Sequence, residues 1–308
     1  MRIALSAALL CGLLASPSLL LAAESGDAQK KADGKPKVLL LTKSSGYEHG
    51  VVRRPKKEEL SHVEKTMVAI GKEVGVDVEP TKDASKLNAE NLKDYDAVFL
   101  MTTGDLDKPG NDGFPAMKKE DRQAILDFIK QGGGIVMTHC GGADTFHGWV
   151  EEGRKPFLEM VGGEFATHGR VQPGAIEVIE PSFPGMEAFP TTFSLPDEWY
   201  VYKGLQPNLR ILMMLNTSSL DQKDRNGAYA RPNYPITWCS SYGKGRVYYT
   251  GMGHHQKTWD DPRFQKMLGQ AMLWSAGKKA GENASNLERI FGSQKVAMER
   301  LNPPPAKK

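Results

Sequence analysis

The side chains best suited to proton transfer and metal binding in this sequence are its histidines, most of which lie outside predicted helices. Six of the seven fall in predicted loops or at strand ends: His49, His139, His147, His168, His254 and His255. Imidazole exchanges protons near neutral pH and is the commonest metal ligand in proteins. The alternative for each residue is a hydrogen bond within a turn. Six such positions together favour a functional site.

Carboxylates and aromatic rings add acid–base and binding chemistry to this set. Asp105 follows a predicted strand, and the pair Asp197 and Glu198 directly precedes Trp199 and Tyr200. Burial beside aromatic rings raises the pKa of a carboxyl group and so suits it to proton transfer, while the ring faces can stack on sugars. The alternative is a helix cap, or a turn whose carboxylates form surface ion pairs.

The surroundings of Cys140 match those of a nucleophile. It follows a predicted buried strand, and small residues lie two positions before and after it, at Thr138 and Gly142. This spacing is typical of a nucleophile elbow, where small neighbours permit a sharp turn from strand to helix. A thiolate there needs a base, and His254 or His255 could supply it. The alternative is a small buried residue without chemistry.

The order of the predicted elements places several of these residues at one edge of a sheet. The first half is predicted as strand, helix, strand, strand, helix, strand, which indicates an α/β fold with a doubly wound, mostly parallel, flavodoxin-like sheet. The second half adds an antiparallel, β-rich portion. Predicted strands cover 37–42, 76–79, 95–101, 135–138, 175–180, 191–195, 209–215, 235–238 and 246–250. Since functional residues follow the carboxyl ends of such strands, we expect His49, Asp105 and His139 at one site.

The N-terminal sequence predicts export. Residues 1–23 have the positive start, apolar run and small-residue end of a secretory signal peptide, and 24–36 are polar and form a predicted linker. The alternative is an uncleaved membrane anchor, but the longest apolar stretch is shorter than the roughly 20 residues of a membrane span. We therefore expect a periplasmic or extracellular protein, free of the membrane after cleavage. The C-terminal tail at 278–308 is expected to be peripheral.

The distribution of charge argues against nucleic-acid binding. Residues 37–276 carry 29 basic and 31 acidic side chains, so the folded part is near neutral. A near-neutral surface offers no basic groove to a polyanion. Nucleic acid is therefore not expected as a partner.

Eight short motifs, in order along the chain, together resemble one protein family. They lie at 45–49, 132–139, 144–149, 162–168, 197–200, 235–238, 242–249 and 253–254. By these motifs the domain at 37–277 is identified as a member of the ThuA-like (trehalose utilization) family, whose fold is similar to that of class I glutamine amidotransferases. The resemblance implies this fold and a role in carbohydrate metabolism, notably of disaccharides and their 3-keto derivatives. It also implies a divalent metal such as zinc, with His139, His168 and His254 as candidate ligands.

Residues and resemblance together predict an exported enzyme that acts on a small-molecule sugar or glycoside by hydrolysis, isomerisation or lysis. Glu198 is the expected acid or base, with His139 and His254 as proton carriers or metal ligands. The expected substrate-binding residues, which should share one cleft with them, are His49, Asp105, His168 and Tyr200. One alternative is a non-catalytic sugar-binding module. Another is a cysteine hydrolase using Cys140, although ThuA-like proteins usually have Ser, Gly or Ala at that position.

Overall fold

The computed structural model of the protein describes residues 34–153 and 155–304 of the 308-residue chain. The predicted signal peptide at 1–23, and the predicted linker as far as residue 33, lie outside the described residues. None of the helices in the described part has the length and apolar character that a membrane crossing requires.

Eleven strands form a large mixed sheet and a small second sheet within the described residues. The strands are β1 Lys37–Leu41, β2 Asp77–Thr81, β3 Ala97–Leu100, β4 Gly134–Thr138, β5 Glu164–His168, β6 Gln172–Val178, β7 Thr192–Asp197, β8 Tyr200–Lys203, β9 Arg210–Asn216, β10 Tyr234–Tyr242 and β11 Gly245–Thr250. The large sheet has the order β2-β1-β3-β4-β11-β10-β9-β6-β7, and β5 pairs with β8 in the small one.

Helices alternate with strands in the first half of the described part, and in the second half one long helix accompanies several short ones. They are α1 His62–Val74, α2 Ala89–Leu92, α3 Arg122–Lys130, α4 Cys140–Ala143, α5 His147–Glu151, α6 Lys155–Val161, α7 Gln222–Arg225, α8 Gln256–Trp259, α9 Pro262–Ser275, α10 Leu287–Phe291 and α11 Gln294–Leu301. Helix α1 begins at a capping box, in which the Ser61 side chain accepts the Glu64 N–H and the Glu64 carboxylate accepts the Ser61 N–H.

The large sheet changes from parallel to antiparallel at β11. Neighbours among β2, β1, β3, β4 and β11 are parallel, whereas β10, β9, β6 and β7 pair antiparallel. The predicted α/β fold, with a parallel first half and an antiparallel β-rich second half, is confirmed, and the large sheet as a whole is mixed, with four parallel and four antiparallel pairings in the described part. In the parallel pair of β4 and β11, Thr138 lies opposite Thr250, so the residues that follow both strands emerge at the same edge.

The parallel strands are apolar along their length because helices cover them. Residues 38–41 of β1 and 135–137 of β4 are fully buried. Helix α9 packs on β4, β11 and α1, and α3 and α6 pack on β11. Strands buried on both faces lack the alternation of apolar and polar residues seen in half-exposed strands, as the sequence indicated.

The segment after Gly277, expected to be peripheral, is anchored to the large sheet as far as it is described. The Asn286 side chain accepts the backbone N–H of Ile211 at 2.8 Å and donates to the carbonyl of the same residue at 2.9 Å. Leu287 and Leu301 are fully buried. Residues 305–308 lie outside the described part.

Candidate functional site

Three of the predicted histidines follow strands of the parallel half of the sheet. His139 comes directly after β4, His254 lies in the loop after β11, and His49 precedes the short 3-10 turn Gly50–Val52 that follows β1. Glu198 lies in the short connection from β7 to β8. The carboxyl ends of parallel strands therefore supply the imidazoles, and the antiparallel half supplies the carboxylate.

His139 occupies a strained turn between β4 and α4. Its φ is 49° and its ψ is −113°, and no other non-glycine residue in the described part has a positive φ. The carbonyl of Thr250 accepts its N–H at 2.7 Å, and the Tyr249 hydroxyl donates to its carbonyl at 2.7 Å. Such strain persists only where surrounding contacts enforce it. The elbow is therefore present one residue earlier than expected: His139 has the strained conformation, and Cys140 is the first residue of the helix.

The side chains of His49, His139, Glu198 and His254 form a group that we call the histidine–glutamate cluster. One ligand atom from each lies within 4.8 Å of the others. Oε2 of Glu198 is 3.5 Å from Nε2 of His139 and 3.4 Å from Nδ1 of His254. The ring of His49 lies edge-on to those of His139 and His254, with centroids 5.1 and 5.0 Å away. Four residues chosen from the sequence are thus brought together.

Burial and mutual contact shift the pKa values of the cluster. Burial alone would raise the pKa of the Glu198 carboxyl, but the adjacent rings of His139 and His254 hold it well below its ordinary value. Burial, reinforced by the other two histidines, lowers the pKa of His49 to about 3. Burial also opposes protonation of His254, yet the Glu198 carboxylate raises its pKa above the ordinary value. At neutral pH the cluster therefore contains an ionised carboxylate and a neutral His49, each with a free electron pair.

Two ring nitrogens of the cluster fit a bound cation. Nε2 of His139 and Nδ1 of His254 are buried, and no described residue forms a hydrogen bond to either. Nδ1 of His139 lies 3.2 Å from the Gly251 carbonyl, a contact that favours the tautomer with a lone pair on Nε2. Imidazoles and a carboxylate are ligands that zinc favours. The residues thus fit a divalent metal, with His49 rather than His168 as the third histidine.

Asp197 is a residue of the site to which sequence reasoning gave no role of its own. Its fully buried carboxylate accepts the backbone N–H groups of Glu198 and His254 at 2.8 and 3.0 Å. The N–H of Gly253 and the hydroxyl of Thr258 donate to it at 2.8 and 2.9 Å. Asp197 thereby ties the segment that carries Glu198 to the loop that carries His254. The adjacent carboxylate pair was the only signal in the sequence, and it did not distinguish the two roles.

Two further predicted residues, His168 and Tyr200, lie opposite each other in the pairing of β5 with β8. Nδ1 of His168 is 3.2 Å from Oε1 of Glu198, and its side chain is 42% exposed. The ring centroid of Tyr200 lies 4.1 Å from that of His139, and burial raises the pKa of the tyrosine far above its ordinary value. His168 is therefore accessible at the edge of the cluster, whereas Tyr200 supports the ring of His139.

Asp105, which was expected to bind substrate with His49 and His139, is not among the ligand atoms that the structure brings together. Its carboxylate forms an ion pair with Lys108. It also packs against Gly148, where an added Cβ would lie 2.5 Å from Oδ1. Its contacts are those of a carboxylate that joins the loop after β3 to helix α5.

Cys140 has a histidine neighbour but the wrong environment for a thiolate. Its Sγ lies 3.8 Å from Nδ1 of His49, whereas the bases expected from the sequence were His254 or His255. The residue is 1% exposed, and burial, reinforced by the nearby Asp144 carboxyl, raises the pKa of the thiol well above its ordinary value. A protonated, buried thiol is a poor nucleophile. This geometry favours a packing role.

A second group of histidine and carboxylate side chains lies on α5 and β5, and we call it the peripheral cluster (His147, Glu151 and Glu164). Nδ1 of His147 is 2.5 Å from Oε1 of Glu164, and its Nε2 is 3.1 Å from Oε1 of Glu151. The ammonium of Lys203 approaches the same Glu164 oxygen at 3.3 Å. Each carboxylate thus already has a cationic or ionisable partner.

Comparison with known proteins adds a family and a fold. A family model described as ThuA, trehalose utilisation, matches residues 37–275. A protein from Bacteroides uniformis described as ThuA-like is 21% identical over 79% of this chain and 92% of its own, with a TM-score of 0.57. A ThuA-like protein from Parabacteroides merdae is 19% identical over 80% of this chain and 92% of its own, with a TM-score of 0.59. At these identities the structures show the shared fold alone. No curated protein matches the chain in sequence.

Proposed function

Because the chain belongs to the ThuA family, whose description is trehalose utilisation, we propose that its histidine–glutamate cluster acts on the 3-keto derivative of a disaccharide. The observation that carries the proposal is the cluster itself: three imidazoles and an ionised carboxylate whose ligand atoms lie within 4.8 Å of one another. Two of its buried nitrogens have no hydrogen bond from a described residue. This arrangement is suited to holding a cation beside a proton acceptor.

The two oxygens of Glu198 have different neighbours, which supports a division of roles. Oε2 faces His139 and His254, whereas Oε1 lies 3.2 Å from the accessible His168. A divalent cation held by His49, His139, His254 and Oε2 would polarise a ketone oxygen of the sugar and so acidify the neighbouring C–H bond. Oε1 then accepts that proton, and His168 relays it to or from solvent.

One proton transfer accounts for the three reactions expected from the sequence. Removal of the proton from C2 of a 3-keto sugar leaves an electron pair that forms a double bond to C1 as the glycosidic oxygen departs and takes up a proton. That outcome is lysis, and addition of water across the double bond makes the net reaction hydrolysis. Return of the proton to the opposite face of C2 instead gives isomerisation. Glu198 serves as the base in each case, because its carboxyl group is ionised at neutral pH.

The test combines metal analysis with product analysis on purified mature protein. We expect about one equivalent of zinc or a similar divalent metal, and products from 3-ketotrehalose but not from trehalose. Run in D2O, the reaction should place deuterium at C2 of recovered 3-ketotrehalose, because the transferred proton exchanges with solvent. Binding of both sugars without any product or exchange would instead identify a non-catalytic sugar-binding module. Hydrolysis in D2O whose product retains the original hydrogen at C2 would exclude proton removal at C2.

We further propose that the protein acts outside the cytoplasm, on a small sugar and without a nucleic-acid partner. The layout of residues 1–23 supports export with cleavage after Ala23. The mass of the protein recovered from the periplasm or culture medium tests this directly. A mass that includes residues 1–23 would contradict cleavage.

A further inference from the structure

Tyr47 is an exposed aromatic ring next to the histidine–glutamate cluster. It is 69% exposed, whereas the other large apolar residues with high exposure in the described part are Val68, Val171 and Val296. All five tryptophans of the chain are fully buried. The fold therefore gains little from the ring of Tyr47, whose apolar faces remain in water.

The backbone of Tyr47 is held in place although its ring is exposed. The Thr103 hydroxyl donates to the Tyr47 carbonyl at 2.6 Å, and the Thr103 carbonyl accepts the N–H groups of Ser45 and Gly46 at 2.8 and 3.1 Å. Gly104 permits this close approach, because its φ is 66° and an added Cβ would lie 2.8 Å from the Gly46 nitrogen. A ring on such a loop loses little conformational freedom when a ligand binds.

The position of the ring relates it to the proposed chemistry. Its centroid lies 5.0 Å from that of His49, edge-on, and His49 belongs to the cluster. The neighbouring Ser45, Gly46 and Glu48 are partly buried and not apolar, so the ring is not part of a broad apolar patch. Protein interfaces need such a patch, whereas a sugar ring needs one flat apolar face surrounded by polar groups.

We infer that Tyr47 is a stacking platform for one pyranose ring of the disaccharide on which the cluster acts. The inference rests on the proposed function and names how that site recognises its substrate class. One sugar ring is processed beside Glu198, and the C–H face of the other packs on Tyr47. The platform thus makes the site prefer disaccharides over monosaccharides.

The test compares Tyr47→Ala, Tyr47→Phe and Val296→Ala, the last a change of an exposed residue on α11 far from β1 in sequence. The dissociation constant for trehalose, which should not react, is measured by calorimetry, and kcat and KM on 3-ketotrehalose are measured by product formation. We expect Tyr47→Ala to weaken binding of trehalose and to raise KM by about ten-fold, with a smaller effect on kcat. Tyr47→Phe, which keeps the ring face, should restore most of the affinity, and Val296→Ala should match the parent.

The outcomes separate this inference from the proposed function. Undiminished sugar binding by Tyr47→Ala would overturn the platform and leave the proposed function standing. Equal losses in Tyr47→Ala and Tyr47→Phe would also overturn it, because the hydroxyl rather than the ring face would then carry the contact. If the parent protein binds neither sugar, both the platform and the proposed function are wrong. Circular dichroism and thermal melts of each variant establish that the fold is intact.

Discussion

The two clusters of histidine and carboxylate side chains differ in how the chain assembles them. Members of the histidine–glutamate cluster come from four separate segments, after β1, β4, β7 and β11. In the peripheral cluster, His147 and Glu151 lie one turn apart on α5, and Glu164 begins β5. The first arrangement requires the whole sheet to be in place, whereas the second is largely local.

Burial and partners separate the clusters further. Buried nitrogens without a hydrogen bond from a described residue occur in both clusters, at His139 and at His147, so exposure is what differs: His139 is fully buried, while Glu151 is 62% exposed. Lys203, whose side chain is half-exposed, adds a positive charge beside the buried Glu164. Burying a group of proton acceptors without such a cation lowers the free energy of unfolding. Groups of this kind are found mainly at functional sites. The same residue types thus have different roles, and paired variants can test the distinction.

The largest expected effect is on metal affinity. His254→Ala removes a ring nitrogen from the histidine–glutamate cluster, and His147→Ala removes one of similar exposure from the peripheral cluster. We expect His254→Ala to weaken zinc binding by more than about 100-fold, since even outer partners of metal ligands contribute about 10- to 100-fold. His147→Ala should bind zinc like the parent. Competition with a chromophoric chelator measures the zinc affinity of both variants. Equal affinities would contradict the proposal that only the histidine–glutamate cluster binds the metal.

We expect the kcat values of the Glu198 and Glu164 variants to differ by about 100-fold. Glu198→Gln keeps the shape of the side chain but cannot accept a proton, so kcat on 3-ketotrehalose should fall by about 100-fold or more while trehalose affinity changes little. Glu164→Gln, the matched change in the peripheral cluster, should stay within about three-fold. Unchanged turnover in Glu198→Gln would exclude this carboxylate as the base.

Stability should depend on the buried carboxylate that joins the two halves of the sheet. Asp197→Asn replaces an acceptor of three backbone N–H groups and a hydroxyl with an amide that presents N–H groups of its own. We expect the free energy of unfolding to fall by about 2 kcal/mol, because donors are left without partners. Urea titration measures the change, with the exposed Asp94→Asn as the control. A loss in Asp197→Asn no larger than in the control would contradict the bridging role.

The sequence predicted the four members of the histidine–glutamate cluster, but not the separate roles of Asp105 and Asp197. Apolar runs located β1, β4 and β11. The strand-end rule placed His49 and His139 at one edge, and His254, which was expected in the same cleft, joins them because β11 pairs parallel with β4. Asp105 was grouped with them by the same rule, but its contact with Gly148 depends on the packing of α5, which no local pattern reveals. The position of a residue at the end of a strand therefore predicts the edge of the sheet at which it lies. It does not predict which side chains contact one another there.

Other features depend on contacts between distant segments. Strand β5 was not predicted, because its residues 166–168 are exposed and lack an apolar run, and β8 was not predicted although its residues 200–202 are buried. The strained turn was placed at Cys140 instead of His139, since flanking small residues indicate an elbow without fixing its register. The hydrogen bonds that enforce the strain come from Thr250 and Tyr249, more than a hundred residues away. The pairing of β5 with β8 and the position of the strained turn are therefore visible only in the three-dimensional structure.

The smallest expected effect concerns Cys140, whose position beside the histidine–glutamate cluster suggests a catalytic role. Its thiol is buried and has a raised pKa, and the adjacent His49 has a pKa lowered to about 3, so at neutral pH neither carries a charge that would activate the other. Cys140→Ser keeps the size and a hydrogen-bonding group but replaces sulfur with a far weaker nucleophile. We expect this variant to retain at least about a third of parental kcat, because a packing change of this kind has a modest effect. Iodoacetamide should leave the parent active for the same reason. A loss of about 1000-fold in Cys140→Ser, together with inactivation of the parent by alkylation at this residue, would show that the chemistry uses sulfur, with His49 as its base.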